Sequence, residues 1–152
     1  MNKHIVFDCD GTLVNTSSYK YELFPGIKNL ILALAGDYTL HIWTARDRRS
    51  ALRILDELGI LPFFEGICTV DDALPKPHIS GIKELVHDAQ KSMVCVIGDT
   101  SNDIIGAKNF GVKSIGALWN GSASGPVLVE SGCDFLASAP YECLEWLNNN
   151  IS

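Results

Sequence analysis

The chain has 152 residues, of which 47% are hydrophobic and 20% charged, as expected of a globular protein with one sizeable core and no room for a second. Its formal net charge of −6 argues against the nucleic-acid backbone as the main partner, because such binding relies on clustered lysine and arginine side chains. No apolar run approaches the roughly 18 residues of a membrane-spanning helix, so a membrane partner is not expected either.

The N terminus and the cysteines both favour a cytoplasmic location. Met1 leads into the first apolar run at Ile5, which leaves no space for the charged, apolar and cleavable sections of a signal peptide. The cysteines are odd in number and show neither CxxC pairs nor metal-ligand spacing, so reduced thiols are expected. They are Cys9, Cys68, Cys95, Cys133 and Cys143.

Short apolar runs alternate with stretches of helical periodicity along the chain. The alternation predicts an α/β protein, one domain over residues 1–152, with helices on both faces of a parallel sheet. Strands are expected at residues 5–8, 39–44, 66–70, 94–98, 114–118 and 135–136. Helices are expected between them, the last two at residues 126–131 and 141–148. The stretch 120–125 follows a predicted strand and is expected at the functional edge of the sheet, although such a stretch is more often simply a solvated loop.

The spacing of leucines and the position of a proline predict how two helices lie. Leu52, Leu55 and Leu58 share one face of a helix that Gly59 is expected to end. The next helix is expected to begin at Pro77. These patterns therefore predict the buried face of one helix and the start of the other.

The first predicted strand ends in two carboxylates one residue apart, Asp8 and Asp10, followed by Gly11. On a continuing strand the two would lie along one rigid line, whereas a break, which Gly11 allows, lets both turn towards one ligand. Phosphoryl transfer needs two different acids, one ionised as nucleophile and metal ligand and one able to protonate a leaving oxygen. Taken alone, such a pair is more often a turn with a helix cap.

Three further polar sites follow predicted strands or lie just beyond them. One strand ends at Thr44, Lys76 stands between two prolines, and another strand leads into Asp99 and Asp103. In open α/β sheets, ligands bind at the carboxyl edge of the strands. The four sites are therefore expected to meet around one ligand.

This set of segments, in this order, resembles the haloacid dehalogenase-like hydrolases, most of which are aspartate-based, magnesium-dependent phosphatases. The resemblance runs from about His4 to Leu147 and is strongest to the phosphoglycolate-phosphatase and phosphoglucomutase group. It also rests on residues 23–26, 76–78, 98–103, 107–111 and 133–138. It implies a Rossmann-like three-layer α/β/α sandwich. One departure is large, since relatives carry a helical cap after the first motif, and residues 15–23 are all that stands there in this chain.

The resemblance also implies a magnesium site. The ligands would be the Asp8 carboxylate, the main-chain carbonyl of Asp10 and the Asp99 carboxylate. Asp103 would hold a metal-bound water or Lys76, although an acid in the first turn of a helix is also favoured by the helix dipole alone. Oxygen ligands of this kind suit Mg²⁺.

The same resemblance implies the catalytic roles. Asp8 would attack the phosphorus, and Asp10 would protonate the leaving alkoxide and then activate the water that hydrolyses the aspartyl phosphate. Thr44 and the Ala45 amide would bind a phosphoryl oxygen. Lys76 would neutralise charge on the phosphoryl group and keep the nucleophile ionised, because a nearby cation lowers the pKa of a carboxylate.

The substrate is the open point of this interpretation. Arg46, with Arg48 and Arg49, could bind a second anionic group, although a solvated helix start explains these arginines as well. Further candidates for substrate contact are Tyr19, Lys20, Tyr21, His78 and Trp119. Without a cap the site would accept a phosphorylated small molecule or macromolecule, or be covered by another subunit in a homo-oligomer.

Three functions are compatible with these residues. The leading one is a magnesium-dependent phosphatase acting on phosphate monoesters. The second is a phosphosugar mutase, which uses the same residues but needs an enclosed site. The third is a binding or regulatory protein without turnover, which would not need the full catalytic set.

Overall fold

Six parallel strands form the central sheet. The structure, a computed structural model, describes residues 2–151. Its strands are β1 (Lys3–Phe7), β2 (Val14–Asn15), β3 (Glu22–Leu23), β4 (Tyr38–Trp43), β5 (Phe64–Cys68), β6 (Val94–Gly98), β7 (Lys113–Ala117) and β8 (Phe135–Ala137). The sheet has the order β5-β4-β1-β6-β7-β8, and β2 and β3 form a separate antiparallel hairpin. The predicted α/β fold with a mostly parallel sheet is confirmed.

Helices cover both faces of this sheet. They are α1 (Ile27–Leu34), α2 (Arg48–Glu57), α3 (Ser80–Val86), α4 (Ser101–Phe110), α5 (Gly125–Ser131) and α6 (Pro140–Asn150). Successive strand residues point to opposite faces, so each face has its own apolar cluster. Ile5 and Phe7 pack with α1, α2 and α6, whereas Val6 packs with α3 and α4. None of the helices between residues 2 and 151 combines the length and the apolar character needed to cross a bilayer.

The predicted strands all exist, and their ends agree with the prediction to within two residues. The largest shift is in β5, which runs from Phe64 to Cys68 and not over residues 66–70. Residues 69–72 form a turn instead. Asp72 closes that turn by accepting hydrogen bonds from the amide and the hydroxyl of Thr69, both at 2.8 Å. A side chain that bonds to nearby backbone in this way competes with the strand ladder.

The buried face of α2 was predicted wrongly in part. The residues it buries are Ala51, Ile54 and Leu55, while Leu52 and Leu58 are half-buried. A helix has 3.6 residues per turn, so positions 51, 54, 55 and 58 form one stripe and position 52 lies beside it. The leucines spaced by three therefore predicted a buried face that is rotated by about one residue from the one observed.

The start of α3 was also predicted wrongly, because this helix begins at Ser80 and not at Pro77. The amide of His78 donates to the carbonyl of Pro75 over 3.0 Å, so residues 75–78 form a turn. The hydroxyl of Ser80 then accepts a hydrogen bond from the Leu74 amide at 3.1 Å. This turn presents Lys76 at the carboxyl edge of the sheet.

The hairpin of β2 and β3 lies where relatives are expected to carry a cap. Its two strands have two residues each, with Val14 opposite Leu23. Val14 is fully buried and Leu23 packs against the same apolar cluster, which fixes the base of the hairpin. Tyr19, between the strands, is fully exposed. Strands this short carry no periodic signal, so the sequence did not predict them.

Candidate active site

Two neighbouring strands bring Asp8 and Asp99 together. Asp8 follows β1 and Asp99 follows β6, and the register of the two strands places Phe7 opposite Ile97. The Asp8 amide continues this ladder by donating to the carbonyl of Ile97 over 2.9 Å. Both carboxylates therefore leave the sheet at the same edge, and both are buried.

A tight turn follows Asp8 and makes room for this pair. Gly11 has φ +84°, a conformation that suits glycine. A Cβ atom at this position would collide with the carboxylate of Asp99 and lie 2.8 Å from the side-chain nitrogen of Asn120. Gly11 is therefore required both by the turn and by the closeness of the chain to Asp99.

Lys76 is the cation at the centre of the site. Its Nζ atom donates to Asp8 Oδ1 over 2.8 Å and to Asp103 Oδ1 over 2.6 Å, and its side chain is 8% exposed. The ring of Trp43 is buried and lies beneath the same atom, with its centroid 4.8 Å away. Burial lowers the pKa of Lys76, but the charges of Asp8 and Asp103 outweigh it, and the pKa stands above its ordinary value.

Asp103 fills both of the roles weighed for it from the sequence. Its Oδ1 atom binds Lys76, while its Oδ2 atom accepts hydrogen bonds from the amide (3.1 Å) and hydroxyl (3.0 Å) of Thr100, in a capping box that opens α4. The capping bonds hold the carboxylate in place for the lysine. Asp103 is thus a helix cap and a partner of Lys76 at once.

The site has more buried negative charge than Lys76 can balance. Carboxylate oxygens of Asp8, Asp99 and Asp103 lie within 4.8 Å of one another. Burial raises the pKa of Asp8 to about 7, against the opposing charge of Lys76 and with a further rise from Asp99. Burial and the charge of Asp8 also raise the pKa of Asp103. Hard oxygen donors around a deficit of positive charge fit a divalent cation.

Asp10 does not join this cluster with its side chain. Its Oδ1 atom binds the Nε atom of Arg46 at 2.8 Å, with side-chain exposures of 38% for Asp10 and 18% for Arg46. The Arg46 guanidinium also lies over the ring of Tyr21, at 5.4 Å from the centroid. Arg46 therefore links the second acid to the hairpin.

Thr44 and Ala45 lie at the end of β4, next to Asp8. Thr44 is buried, and its hydroxyl oxygen accepts a hydrogen bond from the Arg46 amide at 3.1 Å, which leaves the hydroxyl proton available to a ligand. A cleft of about 330 Å³ opens here. It is lined by Asp8, Asp10, Thr44, Ala45, Pro75, Lys76, Thr100 and Asn102. Clefts of similar volume occur elsewhere on the surface, so its chemistry and not its size identifies this one.

Other residues considered from the sequence lie outside this cleft. Arg48 forms a salt bridge to Asp72 at 2.8 Å and donates to the carbonyl of Ile67 at 2.7 Å, and Arg49 is exposed. The Nδ1 atom of His78 accepts a hydrogen bond from the Ser80 amide. Of the three arginines, it is therefore Arg46 that contacts a residue of the cleft, through its ion pair with Asp10.

Cys9, between the two acids, is buried rather than reactive. Burial and the charges of Asp10 and Asp8 raise the pKa of its thiol to about 12. A thiol with such a pKa is not a nucleophile at neutral pH, because the thiolate is the reactive form. Its side chain instead fills space in the apolar cluster beside β1.

Three residues of the site were not assigned from the sequence, or not in this role. The Thr12 hydroxyl lies 3.2 Å from Asp8 and 3.3 Å from Asp99. The indole N–H of Trp119 donates to the carbonyl of Thr12 over 2.7 Å, and the side-chain Nδ2 atom of Asn120 donates to Asp99 Oδ2 over 2.9 Å. Trp119 and Asn120 follow β7, which lies beside β6, so a polar residue after a strand was the signal that could have found Asn120.

Comparisons with known proteins agree with this geometry. The sequence model described as haloacid dehalogenase-like hydrolase matches residues 17–117. A phosphoglycolate phosphatase of Vibrio parahaemolyticus is 30% identical over 128 residues, covering 81% of this chain and 55% of that protein. The pyrophosphatase PpaX of Halalkalibacterium halodurans is 34% identical over 80 residues, covering 51% of this chain and 37% of that protein. The chain thus spans about half the length, or less, of these curated relatives.

A solved structure shows the same fold. A haloacid dehalogenase-like hydrolase from Streptococcus pneumoniae superposes with a TM-score of 0.85 at 22% identity. The match covers 96% of this chain and 98% of that one. At this identity the likeness concerns the arrangement of the sheet and its helices.

Proposed function

The chain belongs to the haloacid dehalogenase-like hydrolases, and from that premise we propose that it is a magnesium-dependent phosphatase acting on phosphate monoesters through an aspartyl phosphate on Asp8. The observation that carries the proposal is the buried Asp8 carboxylate, 2.8 Å from Lys76 and grouped with Asp99 and Asp103. A nucleophile in such a site faces the cleft together with the groups that neutralise phosphate charge.

The cation would be held by the carboxylates of Asp8 and Asp99 and by the main-chain carbonyl of Asp10. When bound, Mg²⁺ supplies positive charge that reduces the repulsion between an anionic nucleophile and a phosphate dianion. Asp103 would hold Lys76 in place, since its two oxygens already accept hydrogen bonds from Lys76 and Thr100.

The chain's own residues account for the bond changes. The Asp8 carboxylate attacks phosphorus, and the bond from phosphorus to the leaving oxygen breaks. Lys76 neutralises the charge that develops on the phosphoryl oxygens, and the Thr44 hydroxyl and Ala45 N–H bind one of them. Water then hydrolyses the aspartyl phosphate and regenerates Asp8.

Asp10 would be the general acid and base, giving a proton to the leaving oxygen and taking one from the attacking water. Its Oδ1 atom is bound by the Nε atom of Arg46 at 2.8 Å, so this oxygen is engaged by the arginine. An anionic group on the substrate would draw the Arg46 guanidinium away and leave this oxygen of Asp10 free to meet the leaving group. Two relatives are named for phosphoglycolate and for pyrophosphate. Both of these molecules carry a second anionic group beside the phosphoryl group.

The open cleft favours hydrolysis over a mutase reaction. A mutase must return the phosphoryl group to its substrate and needs to exclude water, yet Tyr19 at the hairpin tip is fully exposed and does not line the cleft. The open cleft can admit either a phosphorylated small molecule or a phosphorylated macromolecule, and a second copy of the chain could cover it. The proposal places the protein in the cytoplasm.

The test is release of inorganic phosphate from p-nitrophenyl phosphate and a panel of phosphorylated metabolites, with Mg²⁺ and with EDTA. The wild-type protein should act only with Mg²⁺, and Asp8→Asn should abolish turnover while the circular dichroism spectrum stays unchanged. Asp56→Asn, on the exposed face of α2, is the matched control and should keep full activity. Full activity of Asp8→Asn, or turnover in EDTA, would contradict the proposal.

A further inference from the structure

The side chain of Asn120 is held from two sides in the loop after β7. Its Nδ2 atom donates to Asp99 Oδ2 over 2.9 Å, and its Oδ1 atom accepts a hydrogen bond from the Ser122 amide at 3.1 Å. The oxygen and the nitrogen of a carboxamide are told apart by their hydrogen bonds, because the oxygen accepts and the nitrogen donates. Because an N–H group can donate only to the oxygen, the Ser122 amide fixes the nitrogen of Asn120 on the side of Asp99.

The loop that carries Asn120 is itself anchored to the turn after β1. The indole N–H of Trp119 donates to the carbonyl of Thr12 over 2.7 Å, and the Ala123 amide donates to the carbonyl of Asn120 over 3.0 Å. A Cβ atom on Gly11 would lie 2.8 Å from the Asn120 nitrogen. Asn120 is thus packed against the same turn that carries Asp8 and Asp10.

These contacts restrain the Asp99 carboxylate at both of its oxygens. The Thr12 hydroxyl approaches Oδ1 at 3.3 Å, and Asn120 donates to Oδ2. The Thr12 hydroxyl has a single proton, for which Asp8 and Asp99 compete, so Asn120 is the donor committed to Asp99. Each carboxylate oxygen has a second lone pair, so these hydrogen bonds orient Asp99 without using up its capacity to bind a cation.

We propose that Asn120 is a positioning residue that orients Asp99 for cation binding. The inference rests on the proposed function, in which Asp99 is a metal ligand, and assigns to Asn120 a role that neither the sequence nor the relatives supplied. Partners that orient a ligand commonly change metal affinity or activity by about 10- to 100-fold when they are removed. Asn120 acts through Asp99 and not on the substrate.

The test is the dissociation constant of Mg²⁺, measured by isothermal titration calorimetry on the substrate-free protein. Asn120→Ala and Asn120→Leu both remove the donor, and Leu keeps most of the side-chain volume. Both variants should bind Mg²⁺ at least about 10-fold more weakly than the wild type. Asn109→Ala, on the exposed face of α4, is the control and should bind like the wild type. Melting temperatures without metal measure any purely structural effect.

Asp99→Asn separates failure of this inference from failure of the proposed function. If Asp99→Asn weakens Mg²⁺ binding but both Asn120 variants keep the wild-type constant, Asn120 is not a positioning residue and the phosphatase proposal stands. If the wild type binds no Mg²⁺, or Asp99→Asn binds it unchanged, the metal site is wrong and the role of Asn120 falls with it. Lower melting temperatures with unchanged Mg²⁺ affinity would also overturn the inference, because they indicate a loop contact alone.

Discussion

Lys76 offsets part of the negative charge of the buried acids. Asp8 and Asp103 each accept one of its N–H groups, and all three side chains are at least nine-tenths buried. Removing one partner of a buried ion pair leaves an uncompensated charge, which commonly costs about 3–5 kcal/mol. The stability and the chemistry of the site therefore depend on the same side chain.

Lys76→Met should abolish turnover and lower the free energy of unfolding by about 3–5 kcal/mol at pH 8 without metal. Added Mg²⁺ should restore part of this stability, because it brings positive charge back to Asp8 and Asp99. Urea unfolding with and without Mg²⁺ measures both effects. Lys83→Met, which replaces an exposed lysine of α3, is the control and should change neither quantity. A fully stable, active Lys76→Met protein would remove the lysine from the mechanism.

Arg46 should distinguish substrates by their charge. Arg46→Gln is expected to lower kcat/KM by about 10- to 100-fold on phosphoglycolate or pyrophosphate, since a hydrogen bond to a charged group contributes about 1.5–3 kcal/mol. The loss on p-nitrophenyl phosphate, which has no second anionic group, should be much smaller. Arg49→Gln should have no effect on either substrate, because Arg49 is exposed. Equal losses on both kinds of substrate would mean that Arg46 acts only through Asp10.

At the scale of the elements, α4 packs against β6 and β7, and the side chain of Trp43 extends from β4 to reach α4 beneath Lys76. Gly106 is the residue of α4 that allows this approach. A Cβ atom there would lie 2.5 Å from the ring of Trp43 and 3.1 Å from the carbonyl oxygen of Pro77. Alanine is favoured over glycine in a helix by about 1 kcal/mol, but overpacking a core costs about 1–3 kcal/mol. At Gly106 the steric cost of the added methyl group is expected to exceed the gain in helix propensity.

Gly106→Ala should therefore lower the free energy of unfolding by about 1 kcal/mol or more in urea. It should also lower kcat, because a displaced Trp43 ring moves Lys76 away from Asp8. Asn109→Ala, also in α4 but exposed, should be neutral or slightly stabilising by helix propensity. A more stable Gly106→Ala protein would show that the Trp43 ring can move aside without loss of stability.

The strands were predictable from the sequence because each one is an apolar run in a sheet buried on both faces. The features missed depend on short-range contacts that leave no periodic signal. Val14 and Leu23 pair in a hairpin with strands of two residues each. The turn at residues 75–78 delays α3, although a proline there suggested a helix start.

At the scale of the whole molecule, strand order determines which polar groups meet. β1 lies between β4 and β6, so Asp8, Thr44 and Asp99 follow three adjacent strands. That much could be predicted, because each residue ends or follows an apolar strand in the sequence. The stretch that holds Asn120 was expected at the same edge, but its contact with Asp99 could not be predicted until β7 is known to lie beside β6. The pairing of Arg46 with Asp10 depends on side-chain conformation, which the sequence does not specify.

His41 links the stability of the whole protein to pH. It is 1% exposed, its Nε2 atom shares a hydrogen bond with His4 Nδ1 at 3.0 Å, and its Nδ1 atom has no hydrogen-bond partner within residues 2–151. Burial, with a smaller effect of His4, lowers the pKa of His41 from 6.5 to about 4. Between these values the unfolded chain binds a proton that the folded chain does not, so this contribution to stability is lost as the pH falls.

Asp8 acts in the opposite direction over much of the same range. Its pKa is raised from 3.8 to about 7, so the folded chain holds the extra proton and this contribution grows as the pH falls. The two effects offset each other in the wild type. The free energies of the wild type and His41→Leu must therefore be compared at each pH.

From pH 7.5 to pH 4.5 without metal, the wild type should lose on the order of 3 kcal/mol relative to His41→Leu. Urea unfolding at both pH values gives the four free energies needed. His78→Leu, which replaces an exposed histidine in the turn at residues 75–78, is the matched control substitution. A constant gap between the wild type and His41→Leu would mean that His41 titrates alike in the folded and unfolded chains.

Two of the three tryptophans contact the site, and this gives the protein an intrinsic optical reporter. Trp43 lies under the ammonium group of Lys76, and Trp119 donates to the turn after β1, while Trp146 stacks on Phe135 of β8. A cation or a phosphate that changes the field around Lys76 or shifts that turn should alter the emission of the first two indoles. Stopped-flow fluorescence of the unlabelled protein can therefore follow ligand arrival and product departure in real time, with a Trp146→Phe variant to remove the third signal.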